Sequence, residues 1–414
     1  MSFQQGLSGL NAAAKNLDAI GNNVANSGTV GFKQSQTQFA DVYANSLTGA
    51  GGSSVGIGVK VAQVVQQFTQ GNVTATNNPL DMAINGGGFF RMDNNGEITY
   101  QRNGQFQLDR LGAIVNASGA QLTGYTANAS GVLSTGAPAP LTINTADLAP
   151  QITSEVTAVL NLDSGVTPIA AATTFNMADP TTFHFSTAVS VYDSLGNTQT
   201  LQTYYVKRPA GTWEVFAAND GVAIDADTLT AALDPVATLG FNSNGALTTA
   251  MPITPINVPA TATGATTPFP VTIDYTGTTQ FGSAFSVNSM SQDGFTSGRL
   301  AGFNIGADGM VLGRYTNGQT AVLGQIVLAS FANPNGLKPL GNNMWSETAS
   351  SGVALVGTPD TGSLGVLQSS AVEDSNVDLT AELVNLITAQ RVYQANAQTI
   401  KAQDAVLQTL VNLR

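Results

Sequence analysis

Both ends of the chain carry apolar residues at the alternating spacing of four and three that is typical of a helix packed against a helical partner. The C-terminal stripe consists of Leu379, Leu383, Leu386, Tyr393, Ile400, Leu407 and Val411. The N-terminal stripe consists of Phe3, Leu7, Leu10, Leu17 and Val24. Because a helix in water gains most of its stability by burying such a face, each end of this chain needs a partner.

Two interpretations of these stripes are open at this point. In one, the two terminal helices pack on each other inside an ordinary domain. In the other, the stripes form an assembly seam shared between copies of the chain. The N-terminal stripe is weak by itself, because it contains Gly6, Gly9 and Gly21, and glycine lowers helix stability.

The charge of the chain is low and unevenly placed. Charged residues make up 10% of the sequence, against about 25% in an average globular protein. Residues 146–292 hold 11 acidic and two basic side chains, and so account for −9 of the net charge of −12. The chain has no basic cluster and no long apolar run, so we expect neither nucleic-acid binding nor membrane insertion.

Proline and turn signals divide the chain into nested parts. Ten of the 16 prolines lie within residues 146–292, and none precedes Pro79 or follows Pro359, so long helices are expected only at the ends. Turn signals such as Asn95-Gly96 and Asn103-Gly104 separate short runs in residues 85–125, which predicts a β-meander. Residues 34–50 are interpreted as a short helix or loop, and residues 321–331 as one strand buried on both faces.

The predicted fold is mainly β and multidomain, with N- and C-terminal helices forming a coiled-coil-like inner domain and nested β domains outside. The predicted parts are a helical polymerisation domain (1–30 and 372–414), a linker region (31–78 and 359–371), a split β domain (79–145 and 293–358) and an inserted acidic outer β domain (146–292).

The sequence offers no combination of residues typical of an active site. Cysteine is absent and His184 is the single histidine, which removes the usual ligands of a transition metal and most nucleophile and base pairs. The triple glycine Gly86 to Gly88 lacks the lysine and the following helix of a phosphate-binding loop. We therefore expect no catalytic residue, no metal and no cofactor, and a protein that is not an enzyme.

Short motifs near both ends identify a family. The N-terminal motif includes Asn22, Asn23, Ala25, Asn26, Thr29, Gly31, Phe32 and Lys33, and the C-terminal region reads Ser375-Asn376-Val377-Asp378-Leu379 and Gln390-Arg391-Val392-Tyr393-Gln394. Taken together, these stretches closely resemble the bacterial flagellar hook proteins, within the wider family of flagellar rod, hook and hook-associated axial proteins.

This resemblance implies a structural subunit that polymerises into a flexible curved tube, a universal joint that transmits motor torque from rod to filament. It implies self-association into a helical homopolymer, and as partners the distal rod protein, the hook cap protein, the hook-filament junction protein and the flagellar type III export apparatus. It also implies an extracellular location in the hook. The N-terminus shows no basic segment followed by a continuous apolar run, so export without a cleavable signal peptide is expected.

Two alternatives stay open from the sequence. A distal rod or hook-associated axial protein would share the terminal motifs, although rod proteins are shorter. From a different class, a secreted β-rich adhesin or polysaccharide-active enzyme would suit the composition, but it would not need helical stripes at both termini.

The seam interpretation gives a first prediction. Replacing Leu10 or Leu386 with aspartate should leave a soluble monomer that cannot polymerise, because a carboxylate would have to be buried between helices. Electron microscopy of the purified variants under polymerising conditions measures this, and normal tubes from either variant would contradict the seam.

Overall fold

The computed structural model of the protein describes residues 2–42, 56–128, 131–225, 233–260 and 264–412. Two long helices lie at the termini, α1 (Ser2–Ala25) and α2 (Leu379–Asn412), and the remaining regular structure is almost entirely strand. The two helices pack together. The predicted fold class, mainly β with packed terminal helices, is confirmed.

The strands are short and follow one another closely along the chain. The first group is β1 (Ser35–Val42), β2 (Gly58–Gln66), β3 (Val73–Ala75), β4 (Met82–Asn85), β5 (Phe89–Asn94), β6 (Glu97–Gln101), β7 (Gln107–Leu108), β8 (Ile114–Val115), β9 (Gln121–Thr126) and β10 (Ala139–Pro140). The second group is β11 (Glu155–Asn161), β12 (Phe185–Tyr192), β13 (Thr198–Lys207), β14 (Trp213–Asn219), β15 (Val222–Ile224), β16 (Ala237–Leu239), β17 (Ile256–Val258), β18 (Phe269–Asp274) and β19 (Ser286–Gln292). The third group is β20 (Leu300–Ile305), β21 (Met310–Tyr315), β22 (Thr320–Ile326), β23 (Leu328–Ser330), β24 (Lys338–Gly341), β25 (Met344–Ser346), β26 (Leu355–Gly357), β27 (Val366–Ser369) and β28 (Ala371–Glu373). Two single 3₁₀ turns lie at Pro180–Thr182 and Pro334–Gly336.

Local sequence explains where the two helices begin and end. Asp378 precedes α2, and its Oδ1 accepts hydrogen bonds from the backbone N–H groups of Thr380 at 2.9 Å and Ala381 at 3.1 Å, which is how an aspartate caps a helix. At the other terminus α1 ends at Ala25, where the Asn26 side chain donates to the carbonyl oxygen of Asn22 at 2.9 Å.

The chain divides into two compact units. Unit 1 comprises Met1–Thr145, Gly302–Arg314 and Thr320–Arg414, and unit 2 comprises Ala146–Ala301 and Tyr315–Gln319. Both helices belong to unit 1. The predicted division into four parts, with its linker region at 31–78 and 359–371, stays a prediction.

Unit 1 is built from strands that come from both sides of residues 146–292. Its largest sheet joins β5 to β23, β6 to β25 and β9 to β22, all antiparallel. Two smaller pairs, β4 with β27 and β3 with β28, bring the chain back towards α2. An aromatic core fills this unit, in which Phe89 and Tyr100 pack with Phe331 and Trp345.

Unit 2 consists of two sheets that share one large core, and it contains a second, smaller buried cluster rich in aromatic residues. One sheet has the order β12-β13-β14-β15 with β16 beside β14, and the other has the order β17-β18-β11-β19. Side chains from both sheets, including Leu160, Tyr205, Trp213 and Tyr275, form a single buried cluster. The unit begins and ends side by side, since the Leu148 N–H donates to the Gly298 carbonyl at 2.7 Å.

Two expectations about local structure are wrong. Within residues 34–50, the segment Ser35–Val42 is a strand, because it pairs with β2 along its whole length; residues 43–50 lie outside the described residues. The apolar run at 321–331 is two strands, β22 and β23. The first pairs with β9 and the second with β5 and β26, so the run changes neighbours at Val327.

Neither α1 nor α2, as far as each is described, is long and apolar enough to cross a membrane.

The tyrosine pair in the core of unit 2 predicts sensitivity to alkali. The Tyr205 hydroxyl donates to the Tyr275 hydroxyl at 3.4 Å, and both side chains are fully buried. Burial raises the pKa of Tyr205 from 10.0 to about 12, and burial raises the pKa of Tyr275 well above 10.0. Because these folded-state pKa values exceed those of the unfolded chain, the stability contributed by the neutral phenols is complete below pH 10.0 and is lost as the pH rises towards 12.

Replacing Tyr275 with phenylalanine should therefore move the alkaline unfolding midpoint to higher pH. The measurement is near-ultraviolet circular dichroism, with tyrosinate absorbance recorded on the same samples. The half-buried strand residue Tyr192 provides the control variant, Tyr192→Phe. Equal midpoints for the two variants would show that the buried pair does not set the alkaline limit.

Candidate assembly surface and its buried anchor

The contact between α1 and α2 is made by small residues on α1. A Cβ atom placed on Gly6 would lie 3.1 Å from Cγ1 of Ile400, and one placed on Gly9 would lie 2.7 Å from Oδ1 of Asn396. Ala12 and Ala13, on the following turn of α1, are buried. Two of the three glycines that weaken α1 as an isolated helix, Gly6 and Gly9, are therefore the positions at which α2 approaches it closely, whereas a Cβ atom on Gly21 would meet nothing within 4 Å.

The predicted seam residues largely face outward in the single chain. Exposed members are Phe3 (46%), Leu7 (45%), Leu379 (46%), Leu383 (45%), Tyr393 (37%) and Leu407 (53%). Leu10, Leu17, Val24, Leu386 and Ile400 are half-buried. The side chain of Val411 lies outside the described residues. The structure thus brings Ile400 to the contact with α1 and leaves most of the seam uncovered.

The apolar surface of α2 is wider than the predicted stripe. Val384, Ile387, Val392 and Val406 are also exposed, at 59%, 50%, 48% and 54%. The heptad count missed them because they lie beside the counted positions on the helix surface, where a strict spacing of four and three does not reach.

A groove of about 820 Å³ runs between the two helices and the hairpin of β1 and β2. Its walls are small or uncharged for the most part, and include Ala13 and Asn16 of α1, Phe39 of β1 and Val392 of α2. Phe39 is 45% exposed there. The groove therefore adds a concave surface of mixed polar and apolar character next to the convex apolar face of α2.

Below the helices, three buried charges join the two ends of the chain. The Lys33 ammonium lies 2.6 Å from Oε1 of Glu373, and Nε of Arg102 lies 3.1 Å from Oε2 of the same carboxylate. All three side chains are at most 4% exposed. Lys33 also donates to the Thr69 carbonyl at 2.7 Å, and Arg102 donates to the carbonyls of Gly86 and Gly88. One carboxylate therefore holds two cations, each of which also donates to backbone carbonyl oxygens.

Burial disfavours the charged form of both cations of this cluster. Loss of solvent lowers the pKa of Lys33, with a further lowering by the Arg102 charge, and Glu373 acts in the opposite direction. Burial likewise lowers the pKa of Arg102, opposed by Glu373. The carboxylate is thus the one group that keeps two buried positive charges in place.

A second polar contact ties the start of α2 to the end of α1. The buried Glu382 carboxylate accepts hydrogen bonds from Nδ2 of Asn23 at 3.3 Å and from Nε2 of Gln34 at 2.7 Å. Asn23 also exchanges two hydrogen bonds with the backbone of Ser35, each 2.8 Å long. Glu382 lies in the first turn of α2, where the helix dipole favours a negative charge.

The remaining motif residues shape the turn between α1 and β1. Asn22, Asn26 and Thr29 form a chain of side-chain hydrogen bonds at the end of α1, next to the exposed Ala25. Gly31 has φ +71, and a Cβ atom there would lie 2.5 Å from the backbone nitrogen of Asn103, so only glycine fits. The Phe32 side chain is buried, and the Gly31 N–H donates to the Glu373 carbonyl at 2.8 Å.

Sequence reasoning found Lys33 as part of the N-terminal motif, but it missed Glu373, Arg102 and Glu382. A usable signal was the rarity of charge: only 10% of residues are charged, so a charge beside apolar strand residues is informative. Lys33 and Glu373 are 340 positions apart in the chain, so no local sequence pattern predicts that they pair.

Nothing in the described part of the chain resembles a metal centre, since no three His, Cys, Asp or Glu residues cluster there in a way that could hold an ion. His184 lies in unit 2, where its Nε2 lies 2.9 Å from the Thr167 carbonyl and its Nδ1 accepts from the Lys207 N–H. Its two ring nitrogens thus contact the backbone around a strand end.

The buried ion cluster of Lys33, Arg102 and Glu373, which we call the anchor, predicts a large loss of stability for Glu373→Gln, because the two buried cations would lose their counter-charge. The expected cost is about 3–5 kcal/mol in the free energy of unfolding of unit 1. Urea denaturation of the variant measures this, with Glu97→Gln at the exposed start of β6 as the matched control. A loss for Glu373→Gln no greater than that of the control would refute the anchor.

Comparison with family models agrees with this architecture along most of the chain. Residues 3–33 match a family described as Flagella basal body rod protein, and residues 83–158 match the Flagellar hook protein FlgE/F/G D1 domain. Residues 161–295 match the Flagellar basal body protein FlaE D2 domain, and residues 368–413 match the Flagellar basal body rod FlgEFG protein C-terminal family.

Full-length relatives point to the same family. The chain is 44% identical to the flagellar hook protein FlgE of Salmonella typhimurium and 43% identical to that of Escherichia coli, in both cases with 100% of each chain covered. The fold is similar to the crystal structure of the Helicobacter pylori flagellar hook protein FlgE2, with a TM-score of 0.53 at 14% identity over 72% of this chain and 100% of that one.

Proposed function

The chain belongs to the flagellar hook protein family, and we propose that the outward apolar faces of α1 and α2 are the surfaces through which its copies join. It is a structural subunit of the flagellar hook. The proposal concerns how that subunit polymerises and which of its residues do so.

The observation that carries the proposal is the uneven placement of exposed apolar side chains. Ten of the 22 exposed large apolar side chains in the described part of the chain lie on α1 and α2. Fully burying one such side chain is worth about 1.5–3 kcal/mol, so contact between these faces on neighbouring copies supplies a strong drive to assemble. Exposed apolar patches of this kind mark surfaces for association.

The buried carboxylates of Glu373 and Glu382 fix the direction in which this seam faces. Because Glu373 and Glu382 hold the bases of the helices to unit 1, the apolar faces are presented in a fixed direction before any neighbour arrives. A preorganised surface loses less conformational entropy on association than a pair of free helices would. The resulting polymer is the curved, bendable tube that transmits torque from rod to filament.

The finer partners follow from the same surface. At each end of the tube a layer of subunits leaves its helical faces without a neighbour of the same kind. We propose that the distal rod protein, the hook cap protein and the hook-filament junction protein engage these faces. The low charge and lack of cysteine suit a chain that passes through the flagellar type III apparatus to the cell exterior.

The proposal predicts that Leu383→Asp blocks assembly without unfolding the subunit. Leu383 is 45% exposed, so the carboxylate remains solvated in the monomer and becomes costly only when a neighbour covers it. Sedimentation and electron microscopy after addition of ammonium sulfate, which strengthens apolar association, measure tube formation. Loss of tubes with an unchanged thermal unfolding midpoint is the expected result.

The matched control is Leu111→Asp, in a β-turn of unit 1 where the leucine is 75% exposed. This variant carries the same new charge away from both helices. Tubes from Leu383→Asp at the wild-type yield would overturn the proposed seam, and so would an equal defect in both variants.

A further inference from the structure

A pocket in unit 1 is lined by carboxamide side chains and carries no charge. It has a volume of about 490 Å³, and its walls include Asn26, Gln101, Asn103, Asn116, Asn342 and Asn343. We propose that this pocket receives an uncharged main-chain segment of a second copy of this chain, as a polar subunit contact separate from the helical seam. The inference rests on the proposed function, because it concerns the same polymer.

Internal hydrogen bonds hold the pocket open in a defined shape. Nδ2 of Asn116 donates to Oε1 of Gln101 at 2.7 Å, and Nε2 of Gln101 donates to the Asn103 carbonyl at 2.7 Å. Nδ2 of Asn343 donates to the Val30 carbonyl at 3.0 Å, which connects the wall to the turn after α1. The side-chain amides of Asn116, Gln101 and Asn343 therefore take part in the internal hydrogen bonds that shape the pocket.

Two amides are left for an incoming group. Oδ1 of Asn103 accepts from the Gln105 N–H at 3.0 Å, but no described residue accepts a hydrogen bond from its Nδ2. The Asn342 side chain makes no hydrogen bond to any described residue. Each free amide carries the donor or acceptor that a peptide main chain complements.

The backbone conformation at the pocket rim also distinguishes the two asparagines of the turn between β24 and β25. Asn342 and Asn343 form the turn between β24 and β25 with φ values of 52 and 56. Glycine adopts this left-handed conformation with less strain than any other residue. The comparable turn between β5 and β6 has Asn95 at the position of Asn342 and Gly96 at the position of Asn343, so Asn343 is the carboxamide that this turn keeps where the other has glycine.

Chemistry and position identify the occupant. A site with no charged wall residue gives an ion no partner, and a peptide main chain presents the same N–H and C=O groups as the walls. The chain as a whole has the matching character, with 10% charged residues and 44 glycines. Asn26 directly follows α1, one of the two helices that carry the proposed seam.

The first test is Asn342→Gly in the full-length chain. The substitution removes the carboxamide and relaxes the turn, so the monomer should unfold at the wild-type temperature or above it. Tubes should form less well, with about a fivefold rise in the concentration of unassembled subunit at steady state, as expected for the loss of one hydrogen-bonded contact. Sedimentation of assembled samples measures that concentration. Asn95→Gly makes the same change in the comparable turn outside the pocket, and it should leave assembly unchanged.

The second test is Asn103→Asp. It keeps the oxygen that accepts from Gln105 and places a negative charge in a pocket that must bury a neutral segment, so it should raise the unassembled concentration by about tenfold or more. The control is Asn242→Asp, at an exposed turn in unit 2 where Oδ1 accepts from Ala246 in the same way.

The outcomes separate this inference from the proposed function. Failure of the wild-type chain to form tubes would count against the seam itself. Tubes from wild type, Asn342→Gly and Asn103→Asp with equal unassembled concentrations would overturn the pocket contact while the seam stands, even if the pocket bound a small neutral ligand such as an oligosaccharide.

Discussion

The ion cluster of Lys33, Glu373 and Arg102 is the interaction on which the rest of unit 1 depends. It joins the segment that follows α1, the strand that precedes α2 and the residue that follows β6. Moving three charges out of water is costly, and the cost is offset only in one geometry, with the carboxylate between both cations. A cluster of this kind tolerates no shift of one segment against another, so it fixes the relative positions of the three segments that it joins.

This rigidity at the base explains why the helices above can leave their apolar faces open. The pair is held by Glu382 and by close contact at Gly6 and Gly9, which uses Ile400 and Asn396 of α2 and leaves leucines such as Leu379 and Leu383 exposed. Leucines that would normally hold two helices together are therefore available to other molecules. The residues that hold the two helices in place are therefore largely different from those that form the exposed apolar faces.

The sequence predicted the features that repeat locally. Helical spacing identified both terminal helices, and turn pairs such as Asn95-Gly96 identified the hairpins, because each signal is contained within a few residues. The strand at Ser35–Val42 was missed, since its polar alternation becomes meaningful only beside β2. The apolar run at 321–331 was taken as one strand because nothing in its composition shows that its neighbours change at Val327.

The exposed apolar faces that we propose for assembly were predicted in part from the sequence, and the buried charges beneath them were not. Seam positions such as Leu383 and Tyr393 follow from periodicity, whereas exposure of Val384 and Ile387 depends on where α1 contacts α2. Glu373 has no local signal that would relate it to Lys33, and the two are 340 positions apart. A buried charge pair of that kind is a property of the folded chain, which no window of sequence contains.

The side-by-side entry and exit of unit 2, at Leu148 and Gly298, has a consequence for how the family can change. Backbone hydrogen bonds between Leu148 and Gly298 close the ends of this excursion, and the entropic cost of closing it rises only slowly with the length of chain between them, by about 0.6 kcal/mol for each doubling. Residues can be added to or removed from the excursion without altering the geometry at its two ends. Unit 2 can thus change in length without a change in the strands of unit 1 that it interrupts.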